Sequence, residues 1–458
     1  MADTSEQSVL FPSLLDRPVH IAFDEPEMTS DGGAVLLKAV DDRLGLSERL
    51  GESILDVRQD TKVRHTMTDL IRQRVFGLTL GYDDANDVGR IGGDPMFRLL
   101  LERDPVTGDD LASQPTLSRF ENTARFVDLY RMGTALAETV IDYHRHRLRR
   151  RRIKRITIDM DPTDTETYGS QQLSLFNGHY DHYCYLPLLG FLTFNDEPEQ
   201  YLFVSLLRSG TAHASEGAIG VLRRTIRRLR KTFSSAKIRV RLDGGFACPG
   251  IFDFLDEQGV EYLVAIAGNK VLLRRAARLM GTARRLSREQ DQSVALFGET
   301  LYAAKSWKNG KRRVIYKAEV ARLEGREPRD NPRFVVTNLG YTPNNVYKIY
   351  RIRGESENRI KELLIGLALD RTSCSSFKGN QMRVLLSAAA YVLFQTLRCR
   401  LSHTRLGRKQ VDSLRLMLLK IGGKVRSSVR RIVVTLAENH PWRYEWLLAA
   451  KAWRAVPT

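Results

Sequence analysis

Cysteine is scarce in this chain. Its 458 residues include four: Cys184, Cys248, Cys374 and Cys399, far apart and without a Cys-x-x-Cys pair. That excludes a disulfide framework and a cysteine-built zinc site, and fits reduced thiols. No run of ~18 apolar residues is present, the length a membrane-spanning helix needs, and no lipidation motif is visible. The opening MADTSEQSVLFPSLLD is acidic and has no basic region leading into an apolar run, so no signal peptide is expected. Internal repeats and low-complexity tracts are also missing. Acid is in short supply relative to base, with 54 Asp+Glu against 72 Lys+Arg and a net charge of +18. A positive field of that size favours a polyanionic partner. With spans and anchors excluded, nucleic acid is the better fit than an anionic membrane surface. No RNA-recognition or KH-like motif directs the charge to RNA.

Apolar residues are 42% of the chain, enough for a sizeable core, and the length suggests about three domains at ~150 residues each. Residues 1–150 read as mostly helical. Thr66 and Thr68 stand at the start of the periodic run MTDLIRQRVFGLTL, which closes at Gly81. A second helical start is SQPTLSRFENTARFVDLYRMGTALAETVIDY, with Pro115 in a first turn. Short helices with basic faces suit a DNA-binding module of helix-turn-helix type as well as a plain helical scaffold. The stretch 144–155, HRHRLRRRRIKR, holds seven Arg and one Lys. Its Arg149, Arg150, Arg151 and Arg152 abut the next strand and are candidate phosphate contacts.

From residue 153 the pattern changes to alternation. IKRITIDMD, LPLLGFLTF (186–194) and YLFVSLLRSG (201–210) read as three strands. A helix follows at about 214–233, then the strand KIRVRLD (237–243), the helix IFDFLDEQG (251–259) and the strand EYLVAIA (261–267). Three strands in a meander, then strands joined through helical crossovers, is the element order of the ribonuclease H fold. The expected class is α/β: a ribonuclease-H-like mixed sheet flanked by helices, with an N-terminal helical domain and a β-rich insertion. The insertion, 268–332, starts with the basic helix NKVLLRRAARL. Two β-like runs follow, joined by a turn at Lys308-Asn-Gly-Lys311. FVVTNL (334–339) returns to the core, and helices follow at about 354–370 and in NQMRVLLSAAAYVLFQTLRCRL. The segmentation is 1–150 as the DNA-binding domain, 151–267 and 333–400 as two parts of the core, 268–332 as the insertion, and 401–458 as a basic C-terminal region. Within 398–431 eleven Lys/Arg face one acid, Asp412.

Phosphodiester chemistry on DNA needs an in-line nucleophile and a stabilised leaving oxygen, which two divalent ions about 4 Å apart supply when carboxylates hold them. Acids stand where this fold order needs them. On the first strand Asp159 and Asp161 share a face, being two residues apart, and either suits the role. Asp243 ends the fourth strand and is followed by Gly244-Gly245. Glu355, Glu357 and Glu362 lie on the late helix. His179-Tyr-Asp-His182 reads as a packing or hydrogen-bonding pair before it reads as a metal site.

The run from Tyr350 to Leu364, YRIRGESENRIKELL, resembles the Tyr-x2-Arg-x3-Glu-x6-Lys signature of DDE transposases from bacterial insertion sequences. ITIDMDPTD, FNGHYDHYCYLPLL, RLDGGFA, DRTSCSSFKGNQMRVLLSAAAY and SQPTLSRFEN together resemble the insertion-sequence group numbered thirteen-eighty, along nearly the whole chain. The resemblance implies a transposase that binds terminal inverted repeats, cuts at the transposon ends and joins them to target DNA with Mg²⁺, or Mn²⁺ in its place. It maps the catalytic and metal-holding acids to Asp161, Asp243 and Glu357. It assigns Tyr350 and Arg353 to the DNA. The signature's lysine falls at Leu364; Lys361, one turn from Glu357, shares its helix face and is a third DNA contact. A homodimer in the synaptic complex and a bacterial cytoplasmic, nucleoid-associated setting are implied likewise. The alternative is an inactive or domesticated relative that only binds DNA.

Overall fold

The computed structural model describes residues 9–11, 19–307 and 310–453. Most of the opening segment behind the signal-peptide expectation therefore lies outside the described residues, as do residues 308–309 of the expected turn. Among the described residues no helix is long and apolar enough to cross a membrane. The chain divides into two compact units, one of 1–43, 57–120 and 396–458, the other of 44–56 and 121–395.

In the first unit, the helix Met67–Leu80 begins and ends as its sequence demands. The Thr66 hydroxyl accepts the Asp69 N–H at 3.1 Å and the Asp69 carboxylate accepts the Thr66 N–H at 2.9 Å. Such a reciprocal cap contributes about 0.5–2 kcal/mol. Gly81 terminates the helix at φ +85°, a conformation that favours glycine. The C-terminal strands Gly423–Ser428 and Arg431–Leu436 pair with each other, and the first of them pairs with Met28–Thr29 in a three-stranded antiparallel sheet. The basic C-terminal stretch thus folds with N-terminal residues.

The second unit is built on one large mixed sheet. Its strands are β1 (Arg155–Pro162), β2 (Leu188–Phe194), β3 (Tyr201–Leu206), β4 (Lys237–Leu242), β5 (Glu261–Ile266), β6 (Val294–Tyr302), β7 (Arg312–Ala321) and β8 (Arg333–Thr337). They lie in the order β6-β7-β8-β5-β4-β1-β2-β3, with the short strand Arg329–Asp330 pairing β7. β1 runs parallel to β4 and β4 parallel to β5. β1 with β2, β2 with β3, and β5 with β8 are antiparallel. Helices α1 (Phe126–Arg147), α2 (Ala218–Thr232), α3 (Pro249–Glu257), α4 (Lys270–Gln290), α5 (Pro343–Arg351), α6 (Glu355–Leu367) and α7 (Phe377–Arg400) accompany the sheet. A single tight turn, Ile352–Gly354, joins α5 to α6.

Residues 268–332 do not make a sheet of their own. β7 pairs the free edge of β8, and β6 pairs β7, so the β-rich segment widens the central sheet. Burial explains this: Val314, Ile315, Ala318 and Val320 of β7 are all covered, and Met280 and Ala283 of α4 pack on Ala318 and Val320. A strand with that much apolar surface needs a paired and covered place. α5 packs through Val346 onto Leu263, Ile315 and Val335, which sets the direction from which the chain enters α6.

Candidate active site

The central strands carry charge inside the sheet. On β1 the apolar Ile156, Ile158 and Met160 alternate with Thr157, Asp159 and Asp161, and all six are buried. Asp159 is 0% exposed and stands opposite Arg241 of β4 in the strand register. Arg241 grips it with two bonds, Nε to Oδ1 at 2.7 Å and Nη2 to Oδ2 at 2.6 Å. Gln200 Nε2 donates to the same Oδ2 at 3.1 Å. A buried ion pair is costly to break from one side, about 3–5 kcal/mol, because the remaining charge is stranded. Asp159 is thus committed to its neighbours and closed to solvent. Arg239 and Glu261 repeat the cross-strand pairing between β4 and β5 at 2.6 Å.

Asp161, at the end of β1, is differently placed. Its Oδ2 accepts from Arg353 Nη1 at 2.6 Å and from Ser356 Oγ at 2.9 Å. Burial pushes this carboxyl up to about 6, against the pull of Arg353 and Ser356, and the negative charges of Asp243 and Glu357 add to the rise. Asp243 follows β4 directly, one position beyond the Leu242–Met160 pair, so it sits beside Asp161 across the parallel strands. Its side chain accepts the Gly245 N–H at 2.9 Å and caps the turn Gly244–Phe246. Glu357 lies in the first turn of α6 with its side chain 64% exposed, and its carboxylate is 3.8 Å from Arg353 Nη2. The Tyr350 phenol is half-buried and raised by that burial, which the hydrogen-bonded Arg353 opposes. Arg353 is therefore the cation among three carboxylates and a phenol. The sequence pattern assigns Arg353 to DNA phosphate; in the structure its first partner is Asp161.

The other acids of the late helix are sorted as clearly. Glu362 is buried and bonded to Arg359 Nη1 at 3.0 Å and to the Tyr391 hydroxyl at 2.6 Å. Glu355 is exposed and accepts from Asn358. Lys361 is exposed on the same helix, and Leu364 is half-buried. Arg149 to Arg152 are all exposed, but they precede the opposite end of β1 from Asp161, so the structure does not bring them to the acids. Within the basic α2, Arg228 is engaged by Glu138 and Asp142. His182 lies 3.0 Å from Asp164, and His179 packs edge-on against Tyr180.

Ser356, Arg241 and Gln200 do not stand out in the sequence alone. Arg241 nonetheless leaves a trace there. Arg241-x-Asp243 on β4 repeats the spacing of Asp159-x-Asp161 on β1, and in-register parallel strands align the two pairs. Ser356 adjoins Glu357 but faces the other way, into the sheet, which single-sequence spacing does not disclose.

Among the described residues no three His, Cys, Asp or Glu side chains close into a metal-holding group. The donor chemistry nonetheless fits a divalent ion. The available atoms are carboxylate oxygens, the donors Mg²⁺ demands, and a guanidinium already occupies the position of positive charge between Asp161 and Glu357. No curated protein matches the chain. The family described as Transposase DDE domain group 1 matches residues 11–457, nearly the whole length, and the chain belongs to that transposase family.

Proposed function

We propose that this protein is the transposase of a bacterial insertion sequence of the group numbered thirteen-eighty. It binds the terminal inverted repeats, cleaves at the ends and joins them to target DNA. The observation that carries the reading is the meeting of Asp161 and Asp243 at the ends of neighbouring parallel strands, with α6 tied to Asp161 through Arg353 and Ser356. A ribonuclease-H-like core is supported by the order β3-β2-β1-β4-β5 and by the strand directions.

Asp161, Asp243 and Glu357 are the residues that would hold Mg²⁺, or Mn²⁺. Bound there, the ions would supply an activated nucleophile and charge stabilisation for the leaving oxygen. The chain's own residues do the rest. Ser356 holds the Asp161 carboxylate in place. Arg353, Tyr350 and the exposed Lys361 offer donors to a phosphate of the transposon end. Glu357, open to solvent on a helix anchored at its start, is free to turn inward.

The test is a comparison of Glu357→Gln with Arg353→Ala on a transposon-end duplex. Glu357→Gln should abolish nicking and leave duplex binding, since an amide is a poor ligand for a hard cation. Arg353→Ala should weaken binding or misplace the cut without unfolding the protein. Nicking by Glu357→Gln at the wild-type rate would reject the catalytic assignment and turn attention to Glu355. A wild-type protein that binds ends and never nicks them would favour a DNA-binding relative.

A further inference from the structure

We propose that Asp159, Arg241 and Gln200 are positioning residues that fix the start of α6, and with it Glu357, against the two aspartate strands. The inference rests on the reading of Asp161, Asp243 and Glu357 given above. The three residues form one buried polar group, with exposures of 0%, 3% and 1% for Asp159, Arg241 and Gln200. Asp159 is the hub that receives Arg241 and Gln200. What remains of their donors goes to one place. Arg241 Nη1 donates to the Ile349 carbonyl at 2.9 Å, and Gln200 Nε2 reaches the Ile352 carbonyl at 3.4 Å.

Those two carbonyls lie just before the residues of the site. Ile349 is in the last turn of α5, where carbonyls have no partner within the helix and the helix dipole presents its negative end. A guanidinium is suited to cap it. Ile352 opens the tight turn that leads to Arg353, Ser356 and Glu357. Two residues further along β1 from Asp159 is Asp161; two residues on from Arg241 is Asp243. One cross-strand pair therefore staples the two aspartate strands in register and reaches out to the segment carrying the third acid. An apolar trio of the same volume would fill the space and hold the sheet, since buried ion pairs are often no more stabilising than apolar replacements. It would not direct bonds to two named carbonyls. That direction is what a site sensitive to small displacements requires.

Two variants test this without removing the charge on either side. Arg241→Lys keeps a cation opposite Asp159 but lacks the fork needed to serve the Ile349 carbonyl as well. Gln200→Met keeps the volume and the Asp159–Arg241 pair and drops the bonds from Gln200 to Asp159 and to Ile352. The readouts are circular dichroism and thermal midpoint, duplex binding without metal, Mn²⁺ dissociation by electron paramagnetic resonance, and single-turnover nicking. Nicking should fall about tenfold or more, as small misplacements of reacting groups do. Mn²⁺ should bind severalfold more weakly, while fold and metal-free duplex binding hold. Wild-type nicking and Mn²⁺ affinity in Gln200→Met, or a loss confined to thermal stability in both variants, would overturn the proposal. Should Arg241→Lys fail to fold, Gln200→Met decides alone. Glu357→Gln is the control. If it nicks normally, the reading of the site has failed and the inference with it. If it is dead while both variants are fully active, the inference alone has failed.

Discussion

Asp159 and Asp161 sit two residues apart on one face of one strand, and what they meet there separates them. Asp159 is enclosed by Arg241 and Gln200. Asp161 reaches the strand end, where Arg353 and Ser356 share one of its oxygens. An arginine there is a resident counter-charge, and a divalent ion held by Asp161 would have to compete with it. Arg353→Ala is therefore expected to bind Mn²⁺ severalfold more tightly than wild type when no DNA is present. A short transposon-end duplex should raise the wild-type affinity by a larger factor than the variant's, because phosphate that engages Arg353 releases Asp161 only where the arginine is present. Equal metal affinity in the two proteins would mean that Arg353 does not compete. A second residue is expected to respond to acid. His144 is buried between the rings of Phe194 and Tyr201, and its Nδ1 accepts from Arg147 Nε at 2.9 Å. Burial, helped by the positive charge of Arg147, holds its pKa well below the usual value. The unfolded ring titrates near ~6.5, so the stability tied to the neutral ring is fully present above that pH and is lost as pH falls below it. The thermal midpoint should drop between pH ~6.5 and ~5, and His144→Phe should flatten that drop. Parallel curves for the two proteins would exclude His144 as the cause.

The elements that carry the site differ in how far their residues announce them. The turn after β4 is plain from Asp243-Gly244-Gly245, and the structure says why the two glycines are unequal. A Cβ on Gly244 would find nothing nearer than the Ala265 carbonyl oxygen at 3.9 Å. One on Gly245 would lie 2.8 Å from the Ala214 Cβ and 3.2 Å from the Asp243 carboxylate. Gly245→Ala is expected to displace that carboxylate and lower single-turnover nicking, with Gly244→Ala costing far less. Equal rates would show that the turn adjusts. The strands β1 to β5 and the helix Met67–Leu80 are legible in the sequence because alternation and caps are local signals. The β-rich segment 268–332 is legible as strands but not as part of the main sheet. Which edge a strand pairs depends on β8, which returns to the sheet only after the segment has ended. The places of Asp161, Asp243 and Glu357, on two neighbouring strands and a late helix, follow from the order of elements. Their partners are not, since Arg353 reaches Asp161 across 192 positions of sequence and Gln395 reaches the Leu202 N–H across 193. The helix expected over 354–370 forms as α6, Glu355–Leu367, whereas α5 and the tight break at Ile352–Gly354 that precede it carry no signal read from the sequence. That break is where Tyr350 and Arg353 are turned toward the sheet.

Over the whole molecule, charge is segregated along the chain. Between Arg155 and Arg208 there is not one Lys or Arg, and eight acids, Asp161 among them, lie in that interval. The meander β1–β2–β3 thus carries no Lys or Arg of its own beyond Arg155 at its start, and the excess of base behind the net charge of +18 lies elsewhere in the chain. Such a division leaves Asp161 without a cation on its own strand nearer than Arg155, so that Arg353 supplies its counter-charge, and leaves a polyanion to be held from outside the meander. The exposed tract Arg149–Arg152 is proposed as one such holding point. It precedes Arg155, which stands six residues before Asp161 on the strand, roughly 20 Å from it at ~3.3 Å per residue. A duplex rises ~3.4 Å per base pair, so DNA lying along this strand with its scissile phosphate at Asp161 would pass Arg155 about six base pairs away and meet the tract beyond that point. Replacing all four arginines with alanine should weaken binding to transposon ends and to unrelated duplexes alike. The slope of log affinity against log salt should flatten by about 0.9 for each phosphate that the variant no longer neutralises. Protection from hydroxyl-radical cleavage should disappear beyond about six base pairs from the cut and persist at the cut itself. Single-turnover nicking of saturated duplex should change little, because the tract and the acids occupy opposite ends of β1. An unchanged salt slope would make the tract a solvated surface and nothing more. Loss of protection at the cut site instead would show that the duplex does not run along the strand.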